Sequence, residues 1–433
     1  MKITGNILSF LIAIGSLFIM SCGEDRTYEY LEITKENQWI YTEMKTRYLW
    51  ADSIKPLQKK NFFGNSQTFF KNILYKSDKT SYFTGAEPST SYGMSYIAMR
   101  DPLGIKASDT YALVVAVEEE SPADKAGVKR GTWISKCGKH TISLSNNPFL
   151  LQGDSTILYT KRIDFNDETA TYEWHEGDTL KMGPSAVVNS NAIALDTIYS
   201  VRDKKVGYIV CNRFDGDDFV QNIQSILLQF HEENVNELIL DLRYNSGGSL
   251  KSAVAVAGML LPADKNGSLF SQLTYSIEDG TEQQEYVVST NSTLPNLDGI
   301  YILSTGATRG VAESFISGMK SLDNRVRIVG NATMGDNLYT EEIESPYGFS
   351  INPVVARLYS TNGVVLPEGG IYTDYIVDEF SQIQIIYPLG DQQEYLLYST
   401  IHLLTTGTIP QTELPVLQKS HIQFIPQEKS ILK

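Results

Sequence analysis

Histidine and cysteine are scarce in this chain of 433 residues, with five of the first and three of the second. The cysteines, Cys22, Cys137 and Cys211, are odd in number and far apart. They make neither a disulfide framework nor a metal-binding spacing. The histidines (His140, His175, His231, His402 and His421) include no H-x-x-x-H pair, so neither a metal site nor a cofactor is expected. Positive charge is short as well: 36 Lys and Arg stand against 51 Asp and Glu, a net charge of −15. That balance argues against a nucleic-acid partner and against adhesion to an anionic membrane surface. The one apolar run near the start, Ile7–Met20, is too short for a bilayer span of about 20 residues. What is present is a hydrophobic content of 42 % and an aromatic content of 11 %, with 25 tyrosines, unlike a disordered acidic chain. The length predicts two or three domains.

In chain order, residues 1–21 read as an export signal, with Lys2 as the charge and Ile7–Met20 as the apolar stretch. It ends in Ile19-Met20-Ser21-Cys22, which resembles a bacterial lipoprotein cleavage site. That resemblance makes Cys22 the lipidated first residue of a mature protein anchored to the outer membrane of the cell envelope, periplasmic or surface-exposed. The alternative is an ordinary cysteine in a conventional signal peptide. Glu24 and Asp25 resemble a surface-export signal of Bacteroidetes-type lipoproteins. Residues 22–88 read as a helical domain: Thr34 is a candidate cap, Ile40, Met44 and Tyr48 recur four apart, Pro56 ends the helix, and Phe69–Tyr75 suggest another. The aromatics Trp39, Tyr48, Trp50, Phe62, Phe63, Phe69 and Phe70 read as core.

Residues 89–185 change to strands. Val114, Val115 and Val117 precede Ser121-Pro122-Ala123-Asp124-Lys125-Ala126-Gly127-Val128-Lys129-Arg130-Gly131, a capped helical turn closed by glycine, then a strand at Trp133–Ser135. This segment resembles the PDZ domain. The resemblance implies a groove that adds an extended C-terminal peptide as a strand, with its carboxylate-receiving loop at Tyr92, Gly93, Met94, Ser95 and Tyr96. A PDZ fold kept only for packing is the alternative. Residues 145–200 are polar, with a few strand-like patches and no functional reading.

Residues 200–380 alternate strands and helices, which predicts an α/β domain on a largely parallel sheet within an α+β multi-domain chain. Lys205–Val210, Glu237–Leu242, Gly299–Thr305 and Val326–Val329 read as strands, and Asp217–Phe230, Leu250–Leu261 and Arg309–Leu322 as helices. Residues 381–433 give a last helix within 386–407 and a tail.

The order of signal, helical segment, PDZ-like segment and then KVGYIV, LILDLRYNSGG, STGATRGVAESFISGMK and VRIVGNATMGD resembles the C-terminal processing (tail-specific) serine peptidases. The likeness spans residues 33–405, and WIYTEMKTRYLW resembles the Bacteroidetes-type members. The family implies peptide hydrolysis by a Ser/Lys dyad. A desolvated lysine takes the proton of a serine that is a weak nucleophile by itself, and backbone N–H groups hold the developing oxyanion. In the family the serine lies three residues before a glutamate, which matches Glu313, so the nucleophile position is Gly310. The lysine follows a T-x-G segment, which matches Thr333-Met334-Gly335, so the base position is Asp336. The place of a supporting glutamine holds Thr340. No catalytic residue of the dyad is intact at matched positions. Ser317 with Lys320 reads S-x-x-K, but away from the helix start. Ser304, Thr308 and Ser314 are other hydroxyls near the turn, while Ser246 and Ser249 read as turn and cap. The oxyanion pocket carries over to Gly247, Gly248 and Val311, unless the two glycines only turn the chain. Two readings follow. One is a catalytically degenerate binder of polypeptide C-termini or unfolded segments; the other is an active serine-type endopeptidase with its nucleophile elsewhere.

Overall fold

The computed structural model describes residues 27–410 except 86, 146, 217, 278–279, 295 and 383–384, and also residues 423–425. The signal segment and the candidate lipidation residue Cys22 lie outside the described residues.

Helices α1 (Thr27–Arg47) and α2 (Ser66–Ile73) lead into β1 (Tyr82–Thr84). Ile40 and Met44 of α1, with Tyr48 just past its end, pack against Phe69 and Phe70 of α2. Thr34 is not a cap: it lies inside α1, and its hydroxyl donates to the Tyr30 carbonyl at 2.6 Å. The helix ends at Arg47, well before Pro56, and Asn65 caps α2 by accepting from the Thr68 amide. This segment shares its core with Ile343, Phe349, Ile351 and Val354, so it packs on a much later stretch of chain and not on itself alone.

Next come β2 (Met94–Arg100), β3 (Thr110–Val117), α3 (Pro122–Lys125), β4 (Trp133–Cys137), β5 (His140–Thr141), β6 (Thr156–Asn166) and β7 (Thr171–Met182). The order β2-β3-β4-β6-β7 is antiparallel throughout, with β5 against β4. The Ser121 hydroxyl caps α3 by accepting from the Asp124 amide, Pro122 opens the helix, and Gly127 follows at φ 82°. The β6–β7 hairpin fills the stretch that read as irregular. Both strands are only partly buried and mix apolar, polar and charged residues on their exposed positions, which hides the two-residue alternation of a half-buried strand.

The rest of the chain contains β8 (Ile193–Val201), β9 (Lys204–Cys211), α4 (Phe219–Glu232), β10 (Glu237–Asp241), α5 (Leu250–Leu260), β11 (Leu269–Ile277), β12 (Gly280–Val287), β13 (Gly299–Ser304), α6 (Val311–Leu322) and β14 (Val326–Gly330). β15 (Leu338–Thr340), β16 (Ile343–Glu344), β17 (Ser350–Asn352), β18 (Val354–Tyr359), β19 (Tyr375–Ile376), α7 (Tyr395–Thr406) and β20 (Gln423–Ile425) follow. The central sheet runs β19-β14-β13-β10-β9-β8, parallel except for β8. Because each parallel strand is laid beside the one before, right-handed crossovers put α4, α5 and α6 on the same face. Leu238, Leu240, Ile300, Ile302, Val326 and Ile328 meet those helices. The alternate residues Ile239, Leu303 and Val329 point to the other face, which α7 covers with Leu396, Leu397, Ile401 and Leu404. Each such fully buried aliphatic side chain contributes about 1.5–3 kcal/mol. The chain is thus a mixed α/β multi-domain protein, with one β-sheet of the order β12-β11-β18-β15 and a small one of β1-β17-β16 beside the central sheet. Among the described residues no helix is long and apolar enough to cross a membrane.

Candidate active site

Parallel strands deliver their following loops to one edge of the sheet, where such folds bind ligands. β10, β13 and β14 are adjacent, so the loops 242–249, 305–310 and 331–337 meet there. Side chains with short polar groups lock them together. The Thr308 hydroxyl donates to the Leu242 carbonyl at 2.8 Å, and that of Thr305 donates to the Arg243 carbonyl. The Arg309 amide donates to the Asn245 carbonyl at 3.1 Å, and the Met334 amide to that of Thr308 at 2.9 Å.

Gly310 sits at the N-cap of α6 with φ 60° and ψ −120°. That conformation is disfavoured for any residue with a Cβ, and a sharp strained strand-to-helix turn is where a nucleophile is commonly carried. Gly310 is buried, yet a Cβ built on it would meet no atom within 4 Å. The turn therefore faces an open recess with no side chain in it.

Glu313, one turn into α6, is 1 % exposed and organises the loops. Its Oε2 accepts from the Gly310 amide at 3.0 Å and the Asp336 amide at 2.7 Å. Its Oε1 accepts from the Gly335 amide at 2.7 Å and from the Thr333 hydroxyl. Burial pushes the Glu313 carboxyl above its ordinary value, and the four donors pull it back. The positions matched to the nucleophile and the base thus hang from one carboxylate oxygen. One carries no side chain and the other carries a carboxylate, which accepts from the Leu338 amide at 3.2 Å.

A Cβ on Gly247 would lie 3.6 Å from the Val311 amide nitrogen, so these two candidate oxyanion residues are neighbours. Gly248 follows with φ 115°, and a Cβ there would fall 2.9 Å from the Phe214 carbonyl carbon, so only glycine lets β9's exit strand approach. The Gly247 amide, however, is turned inward and donates to the Asn245 side chain at 2.9 Å. That leaves the Gly248 and Val311 amides, not Gly247, as the candidate donors. Asn245 itself reaches back to the Cys211 carbonyl at 2.9 Å.

Ser304 and Ser314 are buried and engaged. Ser304 donates to Asn331 at 2.9 Å, and Ser314 donates to Ser271 at 2.7 Å. Lys320 donates to Asp374 and to the Val326 carbonyl, so the S-x-x-K pair is a lysine in a surface ion pair. Ser249 caps α5, accepting from the Ser252 amide. Cys211 is buried with its pKa pushed up to about 12 by burial, which leaves an inert thiol. Among the described residues there is no cluster of side chains that could hold a metal ion.

The proposed carboxylate loop differs from its expected form. The Tyr92 amide donates to the Leu151 carbonyl at 2.8 Å and the Gly93 amide to the Ser91 hydroxyl at 3.0 Å. A Cβ on Gly93 would lie 2.3 Å from the Ser121 Cβ, so this turn is packed against the α3 cap. Met94 and Tyr96 are buried, and Ser95 belongs to β2, paired with Ala116. Tyr92 and Gly93 thus direct their N–H groups into the fold and offer no nest of free amides.

Sequence reasoning did not find the ionic hub behind the site. Arg243 is 1 % exposed; it contacts Asp241 at 2.8 Å, Glu394 at 2.8 Å and Glu379 at 3.1 Å. Arg130, from the 121–131 segment, reaches Glu379 at 2.6 Å and the Tyr244 hydroxyl at 3.0 Å. Trp133 and Ile97 pack beside Tyr244, Phe380 and Ile386 at the same junction. The β-rich unit therefore docks directly behind the glycine turn. Arg243 and Tyr244 stand inside the LDLRYNSGG motif, but the partners at 130, 379 and 394 have no fixed spacing to reveal them.

Residues 205–377 match the model of peptidase family S41, and residues 35–83 match the peptidase S41 N-terminal domain. A Staphylococcus haemolyticus protein named as a CtpA-like serine protease is 21 % identical over 318 residues, covering 70 % of this chain and 59 % of that protein. The chain thus spans about three fifths of the length of the curated relatives it matches. The crystal structure of a Bacteroides fragilis protein assigned to the S41 proteases aligns with a TM-score of 0.70 and 27 % identity, covering 86 % of this chain and 97 % of that one. The photosystem II D1 C-terminal processing protease shares the fold, with a TM-score of 0.51 and 17 % identity over 80 % of this chain and 93 % of the other. With both matched segments in the family's order around the loops just described, the chain belongs to peptidase family S41, the family of the C-terminal processing peptidases.

Proposed function

We propose that this chain is a lipid-anchored envelope protein that binds polypeptide on a peptidase scaffold and has lost the Ser/Lys dyad. The observation that carries the reading is the convergence of Gly310 and Asp336 on one oxygen of Glu313, with an open recess at Gly310 and a carboxylate where a base lysine belongs. Peptide hydrolysis needs a nucleophile that attacks the carbonyl and a base that takes its proton. A glycine supplies no nucleophile, and a neighbouring carboxylate has no hydroxyl to deprotonate. The Gly248 and Val311 amides can still receive a peptide carbonyl, which supports binding without cleavage. Anchoring through Cys22 rests on the sequence at residues 19–22 alone. The other reading, an active serine-type endopeptidase with a nucleophile away from position 310, draws its support from the serine-protease names of the relatives.

The test is cleavage of an unfolded protein by the chain from Arg26 onward, beside the double variant Gly310→Ser with Asp336→Lys. No cleavage and no labelling by a serine-directed phosphonate in the wild type, with gain of both in the double variant, is the expected result. Wild-type cleavage abolished by that reagent overturns the proposal.

A further inference from the structure

The sheet built on β2 has one edge at β7, and at the other β20 pairs with β2. The pairing is antiparallel: Tyr96 stands opposite Ile425, Ile97 opposite Phe424, and Ala98 opposite Gln423. β20 comes from the far end of the chain, so no hairpin turn imposes this neighbour. An exposed sheet edge is a row of unpaired N–H and C=O groups that recruits any extended chain of suitable shape. Pro426 follows at once, and a residue without an N–H ends such a ladder. The same strand edge is where the resemblance to PDZ domains expects an added peptide. Yet the amides of Tyr92 and Gly93, which would receive a terminal carboxylate, are spent on Leu151 and Ser91.

We infer that the β2 edge accepts an internal extended segment and not a chain terminus, and that Gln423–Ile425 is its resident occupant, which an incoming polypeptide must displace. The inference rests on the peptide-binding reading above and narrows its ligand class. Recognition is by main-chain hydrogen bonds along β2, so it needs no terminal carboxylate. A tethered occupant competes at an effective concentration in the millimolar range, which masks the edge from weak ligands and leaves it open to strong or abundant ones.

The test compares the full chain with its Gln423→Pro variant, in which proline removes the N–H that stands opposite Ala98 on the ladder. The probe is a labelled peptide of residues 420–427, made once with a free C-terminal acid and once as the amide. Hydrogen exchange at the β2 amides is read in parallel. The expected result is faster β2 exchange in the variant and binding of both peptide forms about tenfold or more tighter than by the wild type. Unchanged β2 exchange, or an acid form that binds at least about tenfold tighter than the amide, overturns the inference. Faster exchange with no binding of either form keeps the resident strand and overturns the peptide-binding reading instead.

Discussion

Replacing Glu313 by glutamine tests whether one carboxylate holds the two loops of the site. The side chain keeps its length and shape, but one of its two acceptor oxygens becomes an NH2 donor. With the carbonyl kept at the Oε1 place, Thr333 and Gly335 stay bonded, while the Gly310 and Asp336 amides face a donor. The opposite orientation strands Gly335 and leaves Thr333 to turn its hydroxyl round. Each buried amide left without an acceptor costs about 1–3 kcal/mol, so each stranded amide loses about that much local protection. At about 1.4 kcal/mol per factor of ten, exchange of the stranded amides, Gly310 with Asp336 or else Gly335, accelerates roughly 5- to 140-fold. Hydrogen exchange read by mass spectrometry on peptides spanning 305–312 and 331–338 measures this directly. Peptides from β10 and α7 serve as controls that the fold is intact. Acceleration of less than about threefold at all three amides (Gly310, Gly335 and Asp336), in a folded variant, would refute the claim that Glu313 ties these positions together.

Arg130→Met removes the cation that links the β-rich unit to Glu379 and Tyr244. Breaking a buried ion pair from one side costs about 3 kcal/mol or more, so urea unfolding should shift by that amount, and a loss under about 1 kcal/mol would show the hub to be dispensable. The pH dependence of stability follows from Glu394. Burial alone would raise its pKa, but Arg243, Arg130 and the Leu397 amide together outweigh that and hold it below the ordinary carboxylate value. A depressed folded pKa contributes stability above the unfolded value, about 4.3, which is lost as pH falls through the folded one. The acid limb of a stability–pH curve should therefore be steep in the wild type and flatter in Glu394→Gln, and parallel limbs would contradict the assignment.

The central sheet was legible because its strands are short apolar runs closed by glycine and its helices carry clean apolar stripes. KVGYIV, ELILDL and GIYILS each announce a strand buried on both faces, and Phe219, Ile223, Leu227 and Phe230 line one side of α4. The β6–β7 hairpin was not legible, since its residues serve an exposed sheet where charge on either face costs little. The reach of α1 back to Thr27 was missed because Thr34 looks like a cap, whereas mid-helix it bonds the carbonyl four residues earlier. At the site, the motif placed Gly247, Gly310 and Asp336 in one region, because the loops after adjacent parallel strands must meet. The direction of a single N–H, such as that of Gly247, is set by Asn245 and has no signature in residue type.

The geometry of Gly310 bears on why, on the proposed reading, such a scaffold would persist without its dyad. A side chain at φ 60° and ψ −120° carries strain of about 1–3 kcal/mol, which a peptidase tolerates because the turn lifts a hydroxyl into the cleft. Glycine holds the same turn without that strain. Once a serine there has no lysine to activate it, strain remains and catalysis does not, so glycine is the favoured occupant. The surrounding framework is different in kind. Glu313, Thr308 and Asn245 satisfy buried backbone groups, and removing any of them would leave those groups unpaired in the core. On the proposed reading, loss of the dyad touches two exchangeable positions, while the loops around them stay fixed by the requirements of the fold. On that proposal the chain keeps the Gly248 and Val311 amides and the sheet edge at β2, which are the parts that binding a polypeptide would use.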